Sequence, residues 1–165
     1  MNQPVFPITV ILLVSCFLAG LRQTSASSVV NDSAPTTAPA TQPLASLTIR
    51  VTGLRNHKGQ LIFGVFKSAD GFPTEQEKSV NWQVKPIDAD AVIFTASLPP
   101  GKYAASVLHD ENKNNKMDMN LLGIPQEGYG VTNNPKPSFR AARFDEALFN
   151  LPEDGATLTI SVQYF

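Results

Sequence analysis

Cysteine is nearly absent from this chain, since the 165 residues include only Cys16. It lies in an apolar stretch near the amino terminus, and removal of that stretch leaves a chain with no cysteine. Such a chain has no disulfides, no thiolate metal site and no cysteine nucleophile. An excess of one charge is also lacking, because 13 basic and 14 acidic residues are interspersed and give a net charge of −1. Without a basic surface to neutralise phosphates, we expect no nucleic-acid partner.

Catalytic signatures are missing as well. No Gly-x-Ser-x-Gly, His-Glu-x-x-His or glycine-rich phosphate loop occurs, and the chain has two histidines, His57 and His109. We therefore predict that the protein is not an enzyme and that His109 ends a strand and hydrogen-bonds the loop that follows it. The alternative is a hydrolase-type enzyme that uses His109 and Glu127, because an imidazole titrates near neutral pH and can act as a general base.

Long hydrophobic runs are limited to one, at the amino terminus. Residues 10–21 (VILLVSCFLAGL) are almost all apolar, and the run is shorter than the roughly 20 residues that a membrane-spanning helix needs. Small residues follow as far as Ala26, which predicts a signal peptide over residues 1–26 and a periplasmic or secreted protein. The stretch Leu13-Val14-Ser15-Cys16 also resembles a bacterial lipobox. The alternative is therefore a lipoprotein anchored in the membrane through a lipidated Cys16.

The next segment, residues 27–44, is rich in Ser, Thr, Ala and Pro and has few large apolar side chains. Such a composition buries too little surface to order the chain, so we predict a disordered linker. The remaining residues, 45–165, are enough for one domain with its own core.

This domain has the pattern of β-strands joined by Gly and Pro turns. Apolar and polar side chains alternate over residues 47–52 and again over 157–164, with the period of two that is typical of half-buried strands. The pattern predicts an all-β fold, a seven-stranded Ig-like or transthyretin-like β-sandwich with one long functional loop. Short helical turns are expected within 74–78 and 139–147. The predicted strands lie at residues 47–52, 61–66, 80–84, 92–96, 103–107, 147–151 and 157–164.

The long connection that begins at His109 carries the candidate site. Long loops without regular structure are uncommon in compact domains and are often functional. Oxygen-bearing residues recur here at alternate positions, as in a calcium loop, which supplies six to eight oxygens to a hard cation. The metal ligands in this arrangement are Asp110, Asn112, Asn114, the backbone carbonyl of Lys116, Asp118 and, from further along the loop, Glu127.

Two departures from the calcium-loop pattern predict that any such site is weak. Asn115 replaces the usual Gly at position six, and Leu121 stands at position twelve, where a bidentate Glu is usual. We therefore expect an affinity of roughly 0.1–1 mM. The alternative is an Asp- and Asn-rich turn that is held by its own side-chain hydrogen bonds and binds no ion. The sequence leaves both open.

The segment from His109 to Asn134, HDENKNNKMDMNLLGIPQEGYGVTNN, resembles the signature of a secreted bacterial family called domain of unknown function 2141. A His-Asp opening, an Asn-rich turn, Gly-Ile-Pro, Tyr-Gly and Asn-Asn recur in that family, and the likeness covers nearly all of residues 47–165. The turn at Leu98–Tyr103 is similar to that of transthyretin-like and carboxypeptidase-regulatory sandwiches. The resemblance implies a periplasmic or outer-surface β-sandwich and leaves the biochemical role open.

Aromatic and amide residues offer candidate contacts for a partner. Tyr129 and the pair Asn133-Asn134 can form an exposed surface for a glycan or a peptide; alternatively, Tyr129 folds back over one open end of the sandwich. Trp82 lies among alternating apolar residues and is predicted to be in the core.

We expect a non-catalytic cell-envelope binding or interaction module. Its partner is an unknown envelope protein or glycan, and it contacts the membrane only if Cys16 is lipidated.

Overall fold

The computed structural model describes residues 42–137 and 140–165. The predicted signal peptide (1–26), the lipidation candidate Cys16 and nearly all of the predicted linker (27–44) lie outside the described residues. Within the described part, no helix has the length and apolar character needed to cross a bilayer.

The described residues form eight β-strands in two sheets, which confirms the prediction of an all-β fold. The two helical elements of the described chain are a 3₁₀ turn at Gln76–Lys78 and a short helix, α1, at Phe144–Ala147, and both lie within the segments predicted to hold helical turns. The strands are β1 (Ala45–Thr52), β2 (Gln60–Phe66), β3 (Asn81–Pro86), β4 (Val92–Leu98), β5 (Gly101–Asp110), β6 (Gly128–Val131), β7 (Phe149–Leu151) and β8 (Ala156–Ser161).

The smaller sheet has three strands in the order β4-β1-β8, and β1 is antiparallel to β4 and parallel to β8. The larger sheet has five strands and contains the path β3-β2-β5-β6. Its long strand β5 pairs with β7 near its start and with β6 near its end. Strand β5 therefore runs through the larger sheet and ends where the long loop begins.

The core lies between the two sheets. Leu47, Ile49 and Val51 of β1 are fully buried, as their alternation with polar residues predicts. From the opposite sheet, Phe63 stacks on Phe94 of β4 with ring centroids 4.8 Å apart. Each sheet therefore buries one face against the other, and the hydrophobic effect holds the two layers together.

The structure differs from the sequence expectation in the number of strands. Strand β6 (Gly128–Val131) is the additional one and lies within the segment predicted to be a single long loop. Its sequence, GYGV, has glycines where an alternating apolar pattern would need side chains.

Trp82 is 59% exposed, so the prediction that it lies in the core is wrong. Strand β3 is an edge strand, and alternation gives the period of a strand without showing which of its faces is covered. The opposite face of β3 turns toward β4. There Gln83 Nε2 donates to the Thr95 carbonyl (2.8 Å) and Lys85 Nζ donates to the Ile93 carbonyl (2.6 Å).

Candidate functional site

The long loop runs from Asp110 at the end of β5 to Glu127 just before β6, and it is called the Asp110–Glu127 loop below. Asp110 is completely buried although it is a carboxylate. Its Oδ1 accepts from the backbone N–H of Asn114 (3.1 Å), and its Oδ2 accepts from the N–H of Asn115 (2.9 Å) and from Gln60 Nε2 (2.8 Å). Because Gln60 lies opposite Asp110 in the β2–β5 register, these bonds attach the start of the loop to the sheet.

The next part of the loop is a series of side-chain to backbone hydrogen bonds. Asn112 Oδ1 accepts from the Asn114 N–H (3.0 Å), and Asn114 Oδ1 accepts from the Lys116 N–H (2.8 Å). The amide nitrogens of the same two side chains donate to the Asp118 carboxylate, Asn112 at 2.6 Å and Asn114 at 2.9 Å. The spacing of Asn and Asp in the sequence therefore builds consecutive turns that close on Asp118.

Glu127 joins the beginning and the middle of the loop. The residue is 4% exposed, its Oε1 accepts from the Glu111 N–H (2.9 Å), and its Oε2 accepts from the Asp118 N–H (3.2 Å). Burial raises the pKa of Glu127, the two backbone hydrogen bonds oppose this effect, and the charges of Asp110 and Asp118 raise the pKa further. The structure thus brings Glu127 close to two of the other predicted ligands, Asp110 and Asp118.

The donor set of this loop fits a hard cation in its chemistry, because carboxylate, amide and carbonyl oxygens are the ligands that calcium takes. Yet in residues 42–137 and 140–165 no group of three or more His, Cys, Asp or Glu side chains comes close enough to hold a metal ion. Calcium would need the amide oxygens of Asn112 and Asn114, which already accept backbone N–H groups, and the carbonyl of Lys116. The loop satisfies its hydrogen bonds without an ion, and calcium binding stays a prediction.

Histidine 109 is buried and has partners on both ring nitrogens. The carbonyl of Lys58 lies 2.8 Å from Nε2, and since a carbonyl only accepts, Nε2–H is the donor. Nδ1 then accepts from the Tyr164 hydroxyl at 2.6 Å, whose oxygen accepts from the Arg55 N–H at 3.1 Å. The expectation that His109 bonds the loop after it is wrong, because the register of β5 turns its ring toward the β1–β2 connection and the end of the chain.

Arg55 binds the Asp110–Glu127 loop near both of its ends, and the sequence did not predict this contact. Its Nε donates to Glu111 Oε1 (2.5 Å), and its Nη2 donates to the Gln126 carbonyl (3.0 Å). The guanidinium also lies 4.5 Å from the centroid of the Tyr164 ring. The hydrogen bond from Arg55 holds the pKa of Glu111 below its ordinary value. No local pattern signals this contact, since Arg55 and Glu111 are distant in sequence.

A cleft of about 860 Å³ lies on the outer face of the larger sheet. Its floor includes Ser106 and Leu108 of β5 and Tyr129 of β6. Its walls come from some of the residues within 73–76 and 115–125, together with residues 137, 140, 141 and 165. Most of the lining side chains are apolar. The sequence did not reveal this cleft, because its walls are loops in which apolar residues follow no period.

One wall of the cleft is the middle of the Asp110–Glu127 loop, folded as a tight hairpin. Met119 bridges to Pro125, and the Asn120 side-chain oxygen accepts from the N–H groups of Leu122 (2.8 Å) and Ile124 (3.0 Å). At the tip, Leu121 is completely exposed and Leu122 is 83% exposed. Leu122 lines the cleft, whereas Leu121 does not. The hydrogen-bonded turns described above therefore lead directly into an apolar wall.

The aromatic and amide residues singled out from the sequence lie in different environments. Tyr129 is half-buried in the cleft and stacks on Phe165 with ring centroids 5.6 Å apart. The Asn133 amide donates to the carbonyls of Glu146 (3.1 Å) and Leu148 (2.9 Å). Asn134 bonds to the backbone of β8, where its Oδ1 accepts from the Ser161 N–H at 2.7 Å. The two asparagines therefore connect β6 to α1 and β8.

Comparison with known protein families gives a match over more than half of the chain. The model of a family described as "Uncharacterized protein conserved in bacteria (DUF2141)" matches residues 49–159. No curated protein and no solved structure matches the chain. The matched region begins in β1 and ends in β8, so it includes both sheets and the whole Asp110–Glu127 loop.

Proposed function

This chain belongs to the family of uncharacterized proteins conserved in bacteria (DUF2141), and we propose its function from its sequence and from the geometry of its cleft. The protein is an exported, non-catalytic binding module of the cell envelope, and its site is the cleft on the outer face of the larger sheet. Its ligand is an apolar small molecule. The observation that carries this proposal is a concave, mostly apolar space of about 860 Å³, within the range of roughly 300–1,000 Å³ typical of ligand sites.

The exposure of the lining supports a ligand. Met119 is 52% exposed, Leu122 is 83% exposed, and Phe165 is 61% exposed. Contiguous apolar side chains left in water mark binding sites more often than chance, and covering them stabilises the complex by about 25 cal/mol for each Å² removed from water. The exposed Trp82 and Val84 on the edge strand β3 form another apolar surface, but neither residue lines the cleft.

The Asp110–Glu127 loop supports the proposal through its internal order. Its first turns are fixed by Asp110, its middle by Asp118 and its end by Glu127, all through hydrogen bonds. A wall that is held in place before the ligand arrives loses less conformational entropy on binding. The network therefore has a role in affinity although it does not touch the ligand.

A weak calcium site within this loop is part of the same proposal. Buried Glu127 experiences the negative charges of Asp110 and Asp118, and a divalent cation would relieve that repulsion. Titration calorimetry and a thermal melt with millimolar calcium test it. Heat and a raised melting temperature are expected, both lost in Asp110→Ala, while His109→Ala keeps the calcium-dependent rise. No heat and no shift would leave the loop as a turn held only by its own hydrogen bonds.

The alternative, a hydrolase that uses His109 and Glu127, has less support. His109 is buried with both nitrogens hydrogen-bonded, and both oxygens of Glu127 accept from backbone N–H groups. Neither group is available as a base without breaking the fold around it. If the protein is a hydrolase, His109→Ala should abolish turnover of an ester or amide substrate while the protein stays folded. Such a result would favour this alternative.

The finer fold type and the location also belong to the proposal. An Ig-like or transthyretin-like class is supported by connections that cross between sheets, since β1 and β4 lie in one sheet and β2 and β3 in the other.

Mass spectrometry of the protein purified from the envelope tests the export. An amino terminus just after Ala26 is expected for a periplasmic or secreted protein, whereas a lipidated Cys16 as first residue indicates the anchored form.

Two neighbouring leucines give a matched test of the cleft as the binding site. Leu122→Asp places a charge in the wall, while Leu121→Asp places the same charge on the same tip outside the cleft. Both positions are exposed, so both variants should fold. We expect an apolar fluorescent probe to bind Leu122→Asp at least about tenfold more weakly than the parent, and Leu121→Asp as well as the parent. Equal losses in the two variants would contradict the cleft as the site.

A further inference from the structure

We propose that the ligand of the cleft is an anionic amphiphile with a single apolar chain, whose head group binds Lys116. This inference rests on the proposed function and adds the chemical class of the ligand. It starts from the charges of the lining. Among the described residues of the lining, Lys116, Arg140 and Tyr129 are the ionisable ones, and none of these described residues is an Asp or a Glu. A cationic ligand therefore finds no carboxylate partner among the described lining residues.

The two cations of the lining are not equivalent. Arg140 is engaged by Glu146 in a bidentate ion pair, Nη1 to Oε2 at 2.8 Å and Nη2 to Oε1 at 2.6 Å. Among the ion pairs of residues 42–137 and 140–165, none includes Lys116. The positive charge of Arg140 is therefore compensated within the protein, and Lys116 is the cation that can bind an anionic head group.

The floor of the cleft favours a chain over a polar ring. Leu108 presents an apolar side chain there, and the Ser106 hydroxyl already donates to the Pro73 carbonyl at 2.7 Å. The half-buried Tyr129 ring stacks on Phe165 there. A sugar would lose its water shell over this floor with few new hydrogen bonds, whereas a hydrocarbon chain loses nothing. Lys116 itself is exposed, so a head group beside it stays in contact with water.

Calorimetry of the purified protein with octanoate, decanoate and dodecanoate, each below its micelle concentration, tests the two halves of the ligand separately. The apolar chain predicts about fourfold tighter binding for each added methylene. The anionic head predicts that decanoate binds about fivefold more tightly than 1-decanol at low salt. That preference disappears in Lys116→Gln and remains in Lys113→Gln, a matched control on the same loop outside the cleft.

The outcomes separate this inference from the proposed function. Chain-length dependence with equal affinity for decanoate and 1-decanol overturns the anionic class and leaves an apolar binding module. A preference that is lost equally in Lys113→Gln and Lys116→Gln overturns the role of Lys116. No binding of any of these chains, with the protein shown to be folded by its thermal melt, overturns the apolar ligand as well.

Discussion

Asp110→Asn removes one negatively charged oxygen from the most deeply buried carboxylate of the loop. In the native protein Oδ1 accepts one hydrogen bond and Oδ2 accepts two, from Asn114, Asn115 and Gln60. An asparagine keeps one oxygen and turns an NH₂ group toward the donors that the other oxygen served. A hydrogen bond to a charged group contributes about 1.5–3 kcal/mol, and one or two such bonds are lost. We therefore expect the free energy of unfolding to fall by about 2–4 kcal/mol.

Urea denaturation measures this change, and amide hydrogen exchange shows where it acts. The protection of the Asn114 and Asn115 amides should drop most, because they lose their acceptor. Asp90→Asn is the control, since the Asp90 side chain is completely exposed, and a change within about 0.5 kcal/mol is expected there. If Asp110→Asn destabilises the protein no more than Asp90→Asn, the loop does not depend on this network and the reasoning is refuted.

Three further predictions concern the neighbourhood of Tyr164. Tyr164→Phe leaves the buried Nδ1 of His109 without a partner, so urea denaturation should show a loss of about 1–3 kcal/mol, and a loss below about 0.5 kcal/mol would contradict this bond. Because Arg55 lowers the pKa of Glu111, their pair stabilises the fold above the ordinary pKa of 4.5, and this contribution is lost as the pH falls through the lowered pKa. In Arg55→Gln the urea midpoint should therefore depend less on pH between pH 5 and 2. A pH dependence equal to that of the parent argues against the pair. Gly128→Ala directs a methyl group into the Tyr164 ring, so the melting temperature should fall. A melting temperature equal to that of the parent would be inconsistent with this packing.

The strands with clean alternation were predictable because burial of one face leaves a period of two in the sequence. Strand β1 is the clearest case, with Leu47, Ile49 and Val51 buried and the residues between them more exposed. Strand β6 escaped because its glycines carry no side-chain signal. A Cβ at Gly130 would lie 2.6 Å from a methyl group of Ile160. Strand β6 can therefore approach β8 this closely only because Gly130 has no side chain.

The turns of the Asp110–Glu127 loop were predictable from local spacing, because Asn and Asp bond backbone groups two residues ahead. The attachment of this loop to Gln60 and Arg55 was not, since both contacts join residues more than 45 positions apart. The cleft was hidden for the same reason. Its floor and walls come from separate segments that only the sheet brings together, and an apolar residue such as Leu122 has the same appearance in a sequence whether it is buried or exposed.

The most direct test of the cleft as the binding site is an intermolecular NMR contact map with methyl-labelled protein and decanoate. The proposal predicts nuclear Overhauser contacts from the decanoate methylenes to the methyl groups of Leu108 on the floor and Ile124 in the wall. Contacts instead to Trp82 and Val84, on the exposed edge strand β3, would contradict it.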